Sequence, residues 1–168
     1  SRLYRHFPQL LGIASRAAAA RRRMLADPSL CLAPRTDAAL ETLLTSSHLG
    51  AVLKAVASLE MFTLIAKQVC ERIVTEGSLP VILNLLRTCN RSLPHQKAVG
   101  HALRVLRNVG RHEALLENLW SLDGLVATLL ELAAGHREKG ELLVGALAVL
   151  EMVVVRAQPA RRAQLVAP

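Results

Sequence analysis

One eight-residue pattern occurs three times along the chain and restricts its fold more than any other feature. Residues 55–62 (AVASLEMF), 102–109 (ALRVLRNV) and 146–153 (ALAVLEMV) align without gaps at separations of 47 and 44 residues. Gly77 and Gly124 are also 47 apart, and each precedes a short apolar stretch, 79–86 and 125–132. Leu and Ala, both strong helix formers, number 33 and 25 of the 168 residues, so the repeated unit reads as helical. The aromatic residues are only Tyr4, Phe7, Phe62 and Trp120. A sandwich or barrel would need many β-branched and aromatic strand positions, and a single-strand nucleic-acid reader would need stacking rings; this composition disfavours both.

The repeat spacing falls in the range of about 40–47 residues typical of armadillo and HEAT units, whose two or three helices bury a face only when neighbours stack on it. The expected fold is therefore all-α, a short armadillo/HEAT-like right-handed α-solenoid. Helices are predicted near 9–25, 37–46, 48–61, 63–75, 79–88, 93–110, 113–121, 124–134, 139–156 and 159–166. Ser78 before Pro80 and Ser92 before Pro94 mark two helix starts, with Ser at the N-cap and Pro in the first turn, where its missing N–H costs nothing. Thr36 with Asp37, and Ser47, are further cap candidates, while Gly77, Gly110 and Gly135 are candidate stops. Pro28 and Pro34 mark 27–35 as a linker between a basic helix (1–26) and a repeat body (36–168).

The net charge of +8 suggests nucleic acid until the charges are placed. Residues 1–24 hold six arginines and residues 156–168 three, with no acid in either segment. The stretch between them has 12 basic and 13 acidic residues and is close to neutral. Duplex binding by the body is therefore not expected. The longest nearly charge-free stretch, 142–155, is 14 residues long, short of the roughly 20 a bilayer requires. An opening at Ser1 without an apolar h-region argues against a signal peptide and suggests a piece of a longer protein. Cys31, Cys70 and Cys89, odd in number and widely spaced, read as reduced core residues of a cytosolic or nuclear protein.

Cys89-Asn90-Arg91-Ser92-Leu93-Pro94 resembles the Cys-Asn-Arg-Ser-(Val/Ile/Leu)-Pro helix junction of the abnormal spindle family, in its C-terminal armadillo-type region. Residues 102–109 resemble that family's Ala-Val-x-Val-Leu-Leu-Asn-Val helix, and Leu129-Leu130-Glu131-Leu132 with Arg137-Glu138-Lys139 its Leu-Leu-Glu-Leu-Leu…Arg-Glu-Lys segment. Upstream, Thr36-Asp37-Ala38-Ala39-Leu40, Leu43-Leu44-Thr45 and His48-Leu49 are similar to its Thr-Ala-x-Ala-Leu…Leu-Leu-Thr…His-Leu run. The likeness covers about residues 10–155. It departs after Lys139, where Gly140-Glu141 enters a helix directly in place of the family's longer insertion. The resemblance implies spindle-pole and microtubule minus-end organisation in mitosis and meiosis, with calmodulin-binding IQ motifs just before the armadillo region. It implies localisation to the cytoplasm, cytoskeleton and spindle pole or centrosome, with the nucleus an interphase site.

Residues 11–21 keep part of the IQ frame, with apolar Leu11 and basic Arg16 and Arg21; Gly12 replaces the Gln and Ala17 the Gly. This degenerate IQ helix is the candidate site for calmodulin or a related light chain, against a plain solvated basic helix. On the predicted 93–110 helix and just beyond it, Lys97, His101, Arg104, Asn108 and Arg111 are spaced 4, 3, 4, 3 and share one face. The repeat register places Met61 and Met152 in one column with Asn108. Together these residues are the candidate groove for an extended peptide with an acidic centre and apolar flanks, Asn108 pairing with its backbone. The competing reading makes both methionines core and the cations merely solvated.

No His-Glu-x-x-His, Cys-x-x-Cys or Gly-rich phosphate loop is present, and Cys89, His95 and His101 fit no zinc spacing, so neither an enzyme, a metal site nor a cofactor is expected. Cys70 reads as a small core residue, and Phe62 and Trp120 as core plugs. The expected function is a non-enzymatic protein-interaction module. The alternatives are a structural cap of a helical rod and direct microtubule binding through the basic ends. No membrane partner is expected.

Overall fold

A computed structural model describes residues 32–156, together with Ala19. The chain separates into two compact units, Ser1–Arg35 and Thr36–Pro168. The helices in order are α1 (Leu32–Thr45), α2 (Leu49–Ile65), α3 (Lys67–Thr75), α4 (Leu79–Thr88), α5 (Leu93–Gly110), α6 (Glu113–Trp120), α7 (Leu125–Gly135) and α8 (Gly140–Arg156). Among the described residues there is no strand. The predicted helices at 9–25 and 159–166 lie outside the described residues.

Local chemistry explains most of the boundaries. α3 ends in a reciprocal pair of backbone bonds, from Ser78 N–H to Ile73 O and from Gly77 N–H to Val74 O, with Gly77 at φ 67°. A side chain there would be strained, so this Schellman-type stop requires glycine. Its repeat partner Gly124 is also left-handed, at φ 77°, and sits immediately before α7. Pro80 and Pro94 occupy the first turns of α4 and α5, as the sequence suggests. Ser78 and Ser92 hold the cap positions, but neither side chain makes a capping bond. At the second junction Asn90 Oδ1 accepts the Ser92 N–H at 2.8 Å instead.

Two boundaries differ from expectation. Residues 32–35, expected as linker, form the first turn of α1, where Pro34 needs no N–H donor; Thr36 is buried inside that helix and is not its cap. The break expected at residue 62 falls at Ala66, whose extended backbone separates α2 from α3 at an angle of 119°. Thr63 stays helical because its hydroxyl donates back to Leu59 O at 2.7 Å.

α5 is the centre of the second unit. Ala98, Val99, Ala102, Leu103, Val105, Leu106 and Val109 are all buried, so the helix is apolar on several sides and packs against α2, α8, α4 and α6. α5 and α8 run parallel: Gly100 faces Leu142, Leu103 faces Gly145 and Gly110 faces Met152, a constant offset of 42 residues. A Cβ on Gly145 would lie 3.2 Å from Leu103 Cδ1, so glycine permits this close approach. α2 lies along the opposite flank of α5 and touches it through Glu60 and Thr63. The three copies of the repeated pattern thus stand side by side, with α3, α4 and α6 packed on α5 and α7 on α8 and α4. At the α1 to α3 junction, Arg72 holds both carboxylate oxygens of Asp37 at 2.8 Å. No single described helix is long and apolar enough to cross a membrane.

Candidate functional site

The stripe on α5 and the turn after it separates into two surfaces. His101, Arg104 and Asn108 face α2, where they meet one residue, Glu60. Arg104 Nε donates to Glu60 Oε1 at 2.7 Å, and His101 Nδ1 contacts Oε2. Arg104 Nη2 also lies 3.2 Å from the same His101 nitrogen. The Asn108 amide donates to Glu60 O at 3.2 Å and to Thr63 Oγ1 at 3.1 Å. Lys97 and Arg111 remain exposed.

This corrects the expected groove. Asn108 is 4% exposed and its amide is used between helices, so it cannot pair with the backbone of a docked peptide. Met152 is likewise buried, against Gly110, whereas Met61 is 59% exposed. The repeat register supplies the reason. In a parallel array the column Met61, Asn108, Met152 points toward the preceding long helix: Asn108 meets α2 and Met152 meets α5. α2 is the first long helix among the described residues, and its Met61 and Leu64 are exposed. Leu11, Arg16 and Arg21, the expected calmodulin-facing residues, lie outside the described residues.

Glu60 is the residue that sequence reasoning missed. Its signal was present as the sole acid of the first pattern copy, but nothing in the spacing showed that two groups from the next copy would converge on it. Burial pushes its carboxyl up, while the hydrogen bonds and charges of Arg104 and His101 outweigh that and hold it below the ordinary 4.5. A depressed carboxyl pKa gives stability that is present above the unfolded value and is lost as pH falls through the folded one. Glu60→Gln should therefore cost about 1 kcal/mol near neutrality, since Arg104 is half exposed and screened. The variant should also lose the part of the acid destabilisation that begins near 4.5 and continues below it. Urea titrations from pH 7 to 3 test this; parallel stability profiles for wild type and variant would refute it.

A second surface opens on the other side of α5. Between the N-terminal halves of α5 and α8 lies a cleft of about 680 Å³. Lys97, Arg104 and Arg107 line its α5 wall, and Glu138, Lys139 and Glu141 its other wall. Arg107 and Lys139 played no part in the sequence-based site, because their meeting depends on how α8 enters after Lys139. No cluster of three metal-ligating side chains occurs among the described residues, so Cys89, His95 and His101 are not brought together. Burial raises the Cys89 thiol pKa and pushes Cys70 to about 11, where its Sγ donates to Thr63 O at 3.4 Å. Both are protonated near neutrality and unsuited to nucleophilic attack.

The chain is similar to abnormal spindle-like microcephaly-associated proteins. Identity is 39% to the mouse homologue, 37% to the human protein and 36% to the cat homologue, each over 105 residues. These alignments cover 62% of this chain but only 3% of each relative, so the chain spans a small part of their length. No family model matches the chain. No solved structure matches it.

Proposed function

We propose that this chain is a non-enzymatic protein-interaction module of a spindle-pole and microtubule minus-end organising protein that acts in mitosis and meiosis. The carrying observation is the similarity of 37–39% over 105 residues to abnormal spindle-like relatives. The parallel array of α2, α5 and α8 supports reading residues 36–156 as a short armadillo/HEAT-like right-handed α-solenoid, since each copy buries one flank on its neighbour. In this reading Leu11, Arg16 and Arg21 belong to a degenerate IQ helix that takes calmodulin or a related light chain. The protein resides in the cytoplasm, on the cytoskeleton and at the spindle pole or centrosome, with the nucleus as an interphase site.

The test is imaging of the fluorescently tagged full chain in dividing cells. It should concentrate at spindle poles in metaphase, and charge reversal of Arg16 and Arg21 should abolish calmodulin association measured by calorimetry on the same chain. Uniform distribution through mitosis would overturn the spindle-pole reading. Polar enrichment that survives high-salt extraction would set direct microtubule binding through the arginine-rich ends aside, because that attachment is screened by salt.

A further inference from the structure

We infer that the cleft between α5 and α8 is a docking site for an extended acidic peptide segment of a partner protein, with one apolar side chain seated against Val144. This rests on the reading of the chain as an interaction module and specifies where on it a partner binds.

Charge supplies the first argument. Lys97, Arg107 and Lys139 line the cleft, and none of them forms an ion pair among the described residues. Arg104 is different, since Glu60 already neutralises it. The α5 wall contains no acid, so a carboxylate arriving there gains two uncompensated cations and meets no like charge on that helix. Glu138 and Glu141 sit on the opposite wall and confine the acidic side of the ligand to α5.

Shape supplies the second. Val144, 64% exposed, lines the cleft level with residue 102 by the 42-residue offset, between the levels of Lys97 and Arg107, while Leu93, 68% exposed, lies toward the start of α5. An apolar side chain held in water between two cations offers a contact for an apolar residue of the ligand. Length along the groove then restricts the ligand. Lys97 and Arg107 are ten positions apart on one helix, about 15 Å along its axis. An extended chain advances about 3.3 Å per residue, so two carboxylates matched to them stand four or five residues apart.

The same features disfavour nucleic acid as the occupant. Two glutamates on the α8 wall would oppose a continuous phosphate backbone, and no Phe, Tyr or Trp lines the cleft to stack a base, the one ring there, His101, being held by Glu60.

The test uses the full chain and a fluorescent nine-residue peptide carrying two glutamates four residues apart with a leucine between them. Anisotropy titration at 50 and 200 mM salt should show saturable binding in the micromolar range. The K97E/R107E variant should weaken it at least tenfold, and V144S at least threefold, with melting temperatures unchanged because all three side chains are exposed. A glutamine-for-glutamate peptide should bind at least tenfold more weakly. Absence of saturable binding to wild type, or equal binding by K97E/R107E, would overturn the proposal. Equal competition by a single-stranded oligonucleotide would reassign the cleft to nucleic acid and overturn it as well. Spindle-pole imaging of the wild-type chain separates the two levels: polar enrichment without peptide binding removes the cleft and leaves the functional reading standing, whereas peptide binding without enrichment does the reverse.

Discussion

Leu106→Ala should lower the unfolding free energy by about 2–5 kcal/mol, among the largest losses available to a single truncation in this chain. Leu106 has no exposed surface and sits in the helix against which α2, α4, α6 and α8 all pack. Truncation there removes transfer free energy and also leaves a void that four helices would have to move together to close. The equivalent positions in the other two copies are not alike. Leu59 is fully buried, but Leu150, in the last long helix, is half-buried, so Leu150→Ala should cost distinctly less. With a total stability of about 5–15 kcal/mol expected for a domain of this size, Leu106→Ala should lower the melting temperature by several degrees or more. Circular dichroism melts of both variants decide the matter. A shift below one degree for Leu106→Ala, or a larger shift for Leu150→Ala, would show that α5 is not the centre of the unit.

That asymmetry shows how far the sequence could be read. The repeat register placed the three long helices correctly because the pattern of apolar positions is local, and a helix with three recurring apolar positions has one way to bury them. Gly77, read as a helix stop, is left-handed, whereas Gly124, expected to open the helix at 124, is also left-handed and lies just before it. What could not be read was which flank of α5 faces a neighbour and which faces solvent. Lys97 and Asn108 belong to one helical stripe, yet Lys97 is exposed and Asn108 is enclosed. The difference depends on how closely α2 and α8 approach at each level, which is set by Gly100, Gly110 and Gly145 and by the entry of α8 after Lys139. Equivalence within a repeat fixes a direction relative to neighbours; it does not fix exposure, which depends on what covers that direction: among the described residues α5 covers Met152, whereas Met61 is exposed.

Asn108→Asp is the second change expected to have a large effect, and its sign with pH is what makes it diagnostic. The amide donates to Glu60 O and Thr63 Oγ1, and the Thr63 hydroxyl proton is already given to Leu59 O and Glu60 O. Replacing the NH2 group with a carboxylate oxygen would face lone pairs with lone pairs at a site 4% exposed, leaving a buried charge without a compensating partner. The expected cost near neutrality is about 3–5 kcal/mol, the range for an uncompensated buried charge. Burial and the two acceptors would raise the folded-state pKa of the new carboxyl above its unfolded value. Between those two values the folded state holds a proton that the unfolded state has released, so the deficit relative to wild type should shrink as pH falls and the protonated acid regains a donor. Asn108→Ala supplies the uncharged comparison and should show a smaller, nearly pH-independent loss of about 1–3 kcal/mol, from the missing hydrogen bonds alone. An exposed groove-lining Asn108 would give the opposite result, with both variants folding like wild type. Stability curves for the three proteins between pH 4 and pH 8 therefore separate an amide that bridges α2 and α5 from one that waits for a partner.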